Sequence, residues 1–130
     1  MLHDFPMYAY IPARDLGRAR QFYETKVGLR PGQETNGGVV YEFAQGTACF
    51  LYTTPNAGTS HASQAFWSVA DVDALMRALK ARGVVFEDYD MPGEKSAEGA
   101  ITAGGAKAAW FKDSEGNIMA LIEEVPAVQA

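Results

Sequence analysis

Apolar and polar positions alternate with a period of two over residues 7–12, which predicts a strand with Tyr8, Tyr10 and Pro12 on one face and Ala9, Ile11 and Ala13 on the other. The period then lengthens. Leu16, Ala19, Phe22, Tyr23 and Val27 fall on one helical stripe, while Arg14, Arg18, Arg20 and Lys26 read as an exposed face. Asp15 precedes the stripe as an N-cap, Gly28 supplies a left-handed end and Pro31 blocks extension. Short strands are expected next. Asn36-Gly37 suits a two-residue hairpin turn with positive φ at both residues, and the β-rich runs 39–43 and 48–53 flank Gln45-Gly46. Residues 54–60, with Pro55, Asn56 and Gly58, read as a linker.

The second half repeats the plan. Residues 64–69 predict a strand, Asp71 a cap, and Val72, Leu75, Met76 and Leu79 an apolar helical stripe that stops at Gly83. A strand is expected over 84–88. Residues 90–105 carry Pro92, Gly93, Gly99, Gly104 and Gly105, too many turn formers for regular structure, and read as a lid or mobile segment. Strands are expected over 106–111 and 118–123, joined at 113–117 with Gly116 in a left-handed position. Residues 126–130 read as a frayed tail. The order is β-α-β-β-β, twice, with Asp15 and Asp71 in equivalent places and Gly28 and Gly83 slipped by one residue. The expected fold class is α+β: one domain over 1–130, built of two tandem modules at about 7–56 and 61–124. With one helix per four strands, each module buries one sheet face and curves the other inward, so that two modules make a half-barrel with a hollow face.

Composition narrows the partners. The net charge of −5 argues against a nucleic acid or an anionic membrane surface, since both require a basic face. No apolar run approaches the length of a membrane helix, and the N-terminal residues lack the layout of a signal peptide. A single cysteine, Cys49, excludes an internal disulfide framework, and the expected location is cytoplasmic.

The two Asp-capped helices, their spacing and the hairpin Phe111-Lys112-Asp113-Ser114-Glu115-Gly116-Asn117 together resemble the vicinal oxygen chelate superfamily, which holds the glyoxalase, bleomycin-resistance and extradiol-dioxygenase proteins. The resemblance runs from about Met7 to Glu123, and the terminal hairpin is its most specific part. It implies a cleft that usually holds one divalent ion through His, Glu and sometimes Gln. The implied ligand positions lie seven residues before each capping Asp, three residues after the hairpin Asn, and near the end of the first module. Here those are Tyr8, Gln64, Ala120 and, in a less secure alignment, Leu51. Leu and Ala cannot bind an ion, a neutral Tyr binds poorly, and one Gln is not enough. His3 and His61 lie outside the strands. No metal and no other cofactor is therefore expected, and no catalytic residue is assigned.

Alternation places Tyr8 and Tyr10, Gln64, Phe66 and Ser68, Cys49 and Leu51, and Ala120 and Ile122 on the hollow face, an aromatic wall with few polar groups. A packed cleft filled by these same aromatics is the plainer alternative. Trp110 either lines the pocket or supports the terminal hairpin. Trp67 alternates away and is expected in the core. Tyr89 and Met91 stand where a loop closes over a ligand, while Lys107 either meets an anionic ligand group or is solvated. Cys49 lies in a strand expected to be buried, Glu123 and Glu124 are expected in solvent, and Ser60-His61 lacks an acid to complete a triad.

The candidate ligand-binding set is Tyr8, Tyr10, Cys49, Leu51, Gln64, Phe66, Trp110 and Ala120. The leading function is a metal-independent protein, homodimeric, that binds an aromatic or drug-like small molecule. The alternatives are a lyase, isomerase or dioxygenase-like enzyme, with a relocated metal or a metal-free site using Tyr8 or Gln64 as acid–base or oxyanion groups, and a dimeric regulatory module with a vestigial cleft. Whether the modules pair within one chain or across a dimer stays open at this stage.

Overall fold

The computed structural model describes residues 1–124; the expected tail at 126–130 lies outside them. Module one runs β1 (Ala9–Ala13), α1 (Leu16–Gln21), β2 (Pro31–Thr35), β3 (Gly38–Glu42) and β4 (Ala48–Thr53). Module two runs β5 (Ser63–Ser68), α2 (Val72–Ala81), β6 (Glu94–Lys95), β7 (Ile101–Ala103), β8 (Ala106–Lys112) and β9 (Ile118–Glu124). The sheets are ordered β1-β4-β3-β2 and β5-β9-β8-β7-β6, with β1·β4 and β5·β9 parallel. The fold is α+β, and the repeat survives as sheet order: the first and last strands of each module pair in the same sense.

Both caps form. Asp15 Oδ1 accepts from the Arg18 amide at 3.0 Å and Asp71 Oδ1 from the Ala74 amide at 3.1 Å, which satisfies N–H groups with no partner inside the helix. Gly28 and Gly83 close the helical segments at φ +86° and +93°. The first helix departs from expectation in its second half, where residues Phe22–Val27 widen into a π-helix. That winding buries the consecutive rings of Phe22 and Tyr23, and the Tyr23 hydroxyl donates to Asp113 Oδ2 at 2.5 Å.

Three further expectations change. Asn36-Gly37 does join β2 to β3, but neither residue takes a positive φ; a bulge between Pro31 and Glu34 takes up the twist instead. The strand expected over 84–88 shrinks to one bridge, Phe86 to Phe111, because β7 already covers the first half of β8's outer edge. The segment expected to be irregular contains the β6–β7 hairpin and is fastened to α2. Ser96 Oγ donates to Asp73 at 2.6 Å and accepts from the Ala100 amide, while Lys80 Nζ reaches the Glu98 carbonyl at 2.7 Å.

One apolar core serves both modules. It joins Ile11, Tyr41 and Leu51 of the first sheet to Met76 of α2 and to Phe111 and Met119 of the second sheet. Aromatic rings cross the boundary: Phe22 stacks on Phe111 at 6.2 Å, and Trp67 stacks on Phe111 while meeting Phe43 edge-on. Trp67 is thus packed against the core, as its alternation predicts.

The β8–β9 hairpin makes the polar counterpart of that joint. Buried Asp113 uses Oδ1 to accept from the Glu115 and Asn117 amides, both at 2.9 Å. Asn117 Nδ2 donates to the Pro12 carbonyl of β1 at 2.7 Å. The Glu115 carboxylate accepts from the Arg14 and Asp15 amides at 2.8 and 2.9 Å and from the Arg18 guanidinium at 2.8 and 3.0 Å. Arg14 and Arg20 are also engaged, Arg14 with the Pro55 carbonyl and Arg20 with Glu24 and Glu34, so the arginines fasten the fold where sequence suggested a solvated face. Gly58 completes the clasp. Its φ is +73°, and a side chain there would meet the Glu115 carbonyl at 2.2 Å.

Arg18, together with the two backbone amides and Ser114, holds the Glu115 carboxyl at about 2 against an ordinary 4.5, although burial works in the opposite direction. A depressed carboxyl stabilises the folded state fully above its unfolded pKa, and that contribution is lost as pH falls from about 4.5 through about 2. The Glu115→Gln variant is expected to cost about 2–3 kcal/mol at neutral pH. Urea denaturation should show the gap between parent and variant closing in acid, and a gap of constant size would contradict the assignment.

Candidate functional site

Register assigns the two faces of each sheet. In module one, Tyr10 lies beside Phe50 and Pro12 beside Tyr52, while Val40 and Glu42 lie beside Phe50 and Ala48. Tyr8, Tyr10, Phe50, Tyr52, Val40 and Glu42 therefore share the hollow face. Ala9, Ile11, Cys49, Leu51, Val39 and Tyr41 share the face turned to the helices and core. In module two, Phe66, Ala120 and Trp110 form one cross-strand row, and Ser68, Ile122 and Ala108 the next.

This arrangement corrects the expectation for β4 by one residue. Leu51 is fully buried and Cys49 is 4% exposed, both in the core, so neither presents its side chain to the hollow. Phe50 and Tyr52 take their place, and sequence reasoning missed both. Alternation along β4 is clear, but 48–53 is apolar on both faces, and only pairing with β1 sets the phase. Burial raises the Cys49 thiol to about 11, far from the range of a nucleophile.

The aromatic hollow is open. Tyr8, Tyr10 and Phe66 are 57%, 62% and 60% exposed. Tyr10 contacts Tyr52 at 4.8 Å and Phe50 edge-on at 6.0 Å, so β1 and β4 together build one aromatic wall. Beside it lies a cleft of about 550 Å³ whose lining includes Tyr8, Val40, Glu42, Phe43 and Phe50. Glu42 was not singled out in the sequence and is the one charged side chain among the described residues that line this mostly apolar cleft. Ala120 is covered, and Trp110 is half-buried with its ring 5.6 Å from Tyr89.

Gln64 occupies a special position. A register shift between Ser63 and Ala65 makes it the extra residue of a bulge, and its Nε2 donates to the Tyr10 carbonyl at 3.0 Å. The amide ties the edge of β5 to the edge of β1. The positions implied for a metal are therefore filled by Tyr8, Phe50 in place of Leu51, Gln64 and Ala120. These residues do not fit a divalent ion: Phe50 and Ala120 are hydrocarbon, and a neutral Tyr8 with one Gln64 amide oxygen supplies too few donors. Among the described residues no group of three His, Cys, Asp or Glu side chains is placed to hold one.

Two charged groups on the opposite, α2-facing side of the second sheet are paired. Lys107 pairs with Asp73, which removes it as an anion-binding candidate, and Asp73 is lowered chiefly by that contact and by Ser96. Glu123 is not free in solvent, because its Oε1 caps α2 by accepting from the Val72 amide at 2.9 Å.

A model of the glyoxalase/bleomycin resistance protein/dioxygenase superfamily matches residues 6–121. The chain belongs to that superfamily. No functionally curated protein matches it. Solved structures of similar fold include a superfamily protein from Alicyclobacillus acidocaldarius, at TM-score 0.70 and 19% identity over 95% of this chain and 94% of that one. Another is a glyoxalase/bleomycin resistance protein from Catenulispora acidiphila, at 0.65 and 24%, covering 92% and 97%. A third is TnmS3, an antibiotic binding protein from Streptomyces sp. CB03234, at 0.65 and 21%, also covering 92% and 97%. At these identities the likeness establishes a shared superfamily fold.

Burial of Cys49 gives a direct check on the β4 register. A thiol reagent at about pH 8 should modify the native protein far more slowly than the urea-unfolded chain. Rapid native modification would place Cys49 on the hollow face.

Proposed function

We propose that this superfamily member is a metal-independent binding protein for a flat aromatic or drug-like molecule, carried on the hollow face by Tyr8, Tyr10, Phe66 and Trp110, with Phe50 and Tyr52 in place of Cys49 and Leu51. The observation that carries this reading is the substitution of the donor set. Positions that would hold an ion are given to aromatic, aliphatic and amide side chains, while the adjoining wall exposes aromatic rings. Each such ring offers stacking and a large apolar area. Glu42 in the cleft lining favours a ligand bearing a cationic or hydrogen-bond-donating substituent. The antibiotic-binding description of TnmS3 is in keeping with the same use of the fold.

The homodimer is part of the proposal. Met1, Leu2, Phe5 and Met7 are at least 66% exposed and precede the exposed Tyr8 and Tyr10 in the chain, a run of apolar side chains that a second copy would cover.

A thermal-shift panel of flat aromatic compounds, neutral and cationic, tests the reading. At least one compound should raise the melting temperature, and Tyr10→Ala should weaken its binding by about tenfold. Sedimentation should give twice the chain mass. A panel without effect would overturn the binding reading, and conversion of a stabilising compound to product would favour the enzymatic one.

A further inference from the structure

A second chamber lies between the two sheets, beside the start of β1 and the latter part of β5, with Ile11, Cys49 and Trp67 of the core-facing rows in its lining. It has a volume of about 460 Å³. Its floor is the buried trio Ile11, Cys49 and Met119, and one wall is the Trp67 indole with Phe43 edge-on at 5.9 Å. Two of the core-side positions that line it are small. Ala9 precedes Ile11 on β1, and Ala65 precedes Trp67 on β5, each on the same face. Interiors close-pack wherever side chains can reach, so alanines at these two lining positions keep a volume that larger residues would fill.

The chemistry of the lining is one-sided. Among the described residues no charged side chain lines the chamber, and its polar side chains, those of Gln45, Thr47 and Ser68, stand at the exposed mouth. Gln45 is held at φ 61°, ψ 28°, a left-handed conformation no other non-glycine residue adopts among the described residues. The turn that carries it adjoins both this chamber and the cleft beside Tyr8, and Phe43, Thr47, Ala48 and Cys49 border both.

We propose that this chamber is a second binding site, for a compact neutral apolar molecule of roughly two fused rings that seats against Trp67 and presents at most one polar group to Gln45. An uncharged dry floor excludes carboxylates and ammonium groups by their desolvation cost, and a volume of several hundred Å³ lies within the usual range for small-molecule sites. The site is distinguished from the hollow by its core-side floor of Ile11, Cys49 and Met119 and its Trp67 wall, although Phe66 and Ser68 at its margin belong to the hollow-face rows.

The test uses the full chain with Trp110→Phe, leaving Trp67 as the sole indole, and N-phenyl-1-naphthylamine as the neutral probe. Titration should quench Trp67 emission and raise probe fluorescence with saturation. Ala65→Phe, which fills the chamber, should weaken probe binding at least tenfold, while Tyr10→Ala should leave it within twofold. If Ala65→Phe does not fold, Ala9→Leu makes the same test from β1. Loss of probe binding in Tyr10→Ala with retention in the filled variants would place the probe in the hollow and overturn the proposal. So would absence of saturable quenching, or a filled variant whose only change is dissociation into monomers.

Discussion

The Glu115 carboxylate sits where β1 gives way to α1, and it closes a joint that no apolar contact can close alone. At that point the chain turns from strand to helix, which leaves the amides of Arg14 and Asp15 pointing out of both elements. A carboxylate from the far end of the chain accepts from both and from Arg18 as well. Asp113 shapes the hairpin that delivers it, and Asn117 from the same hairpin bonds the end of β1. A few side chains therefore fix where module two stands against module one. The position of Tyr10 relative to Phe66 follows from that placement, as does the chamber between the sheets.

This joint also bears on the proposed absence of an ion. In a cleft whose walls are held together by a shared metal, losing the ligands would free the walls. Here the boundary is held by Phe22, Trp67 and Phe111 in the core, by the hairpin clasp at one end, and by the Gln64 amide on the Tyr10 carbonyl. Gln64 stands at an implied ligand position but acts as a tie between strand edges. With the framework secured elsewhere, the hollow is free to be lined by rings.

Much of this was legible in the sequence because it is local. Asp15 and Asp71 announce their helices by residue type, Gly28 and Gly83 end them, and the terminal hairpin is recognisable by its spacing. What sequence missed depends on distant partners. The phase of β4 is set by β1, so alternation alone put Leu51 where Phe50 belongs. Residues 84–88 have strand composition but find their edge already taken by β7. The 90–105 segment is rich in turn formers, yet Asp73 and Lys80 of α2 fasten it. Lys107 and Glu123 looked solvated because their partners, Asp73 and the start of α2, are far away in the chain.

The central claim is that the hollow binds its ligand through aromatic contact, with no ion taking part. Isothermal titration calorimetry with the most stabilising aromatic compound tests it directly, run once in excess chelator and once with nickel, zinc or manganese added. The account predicts dissociation constants that agree within about twofold under all conditions. Binding that disappears in chelator and returns with one of the ions would contradict it.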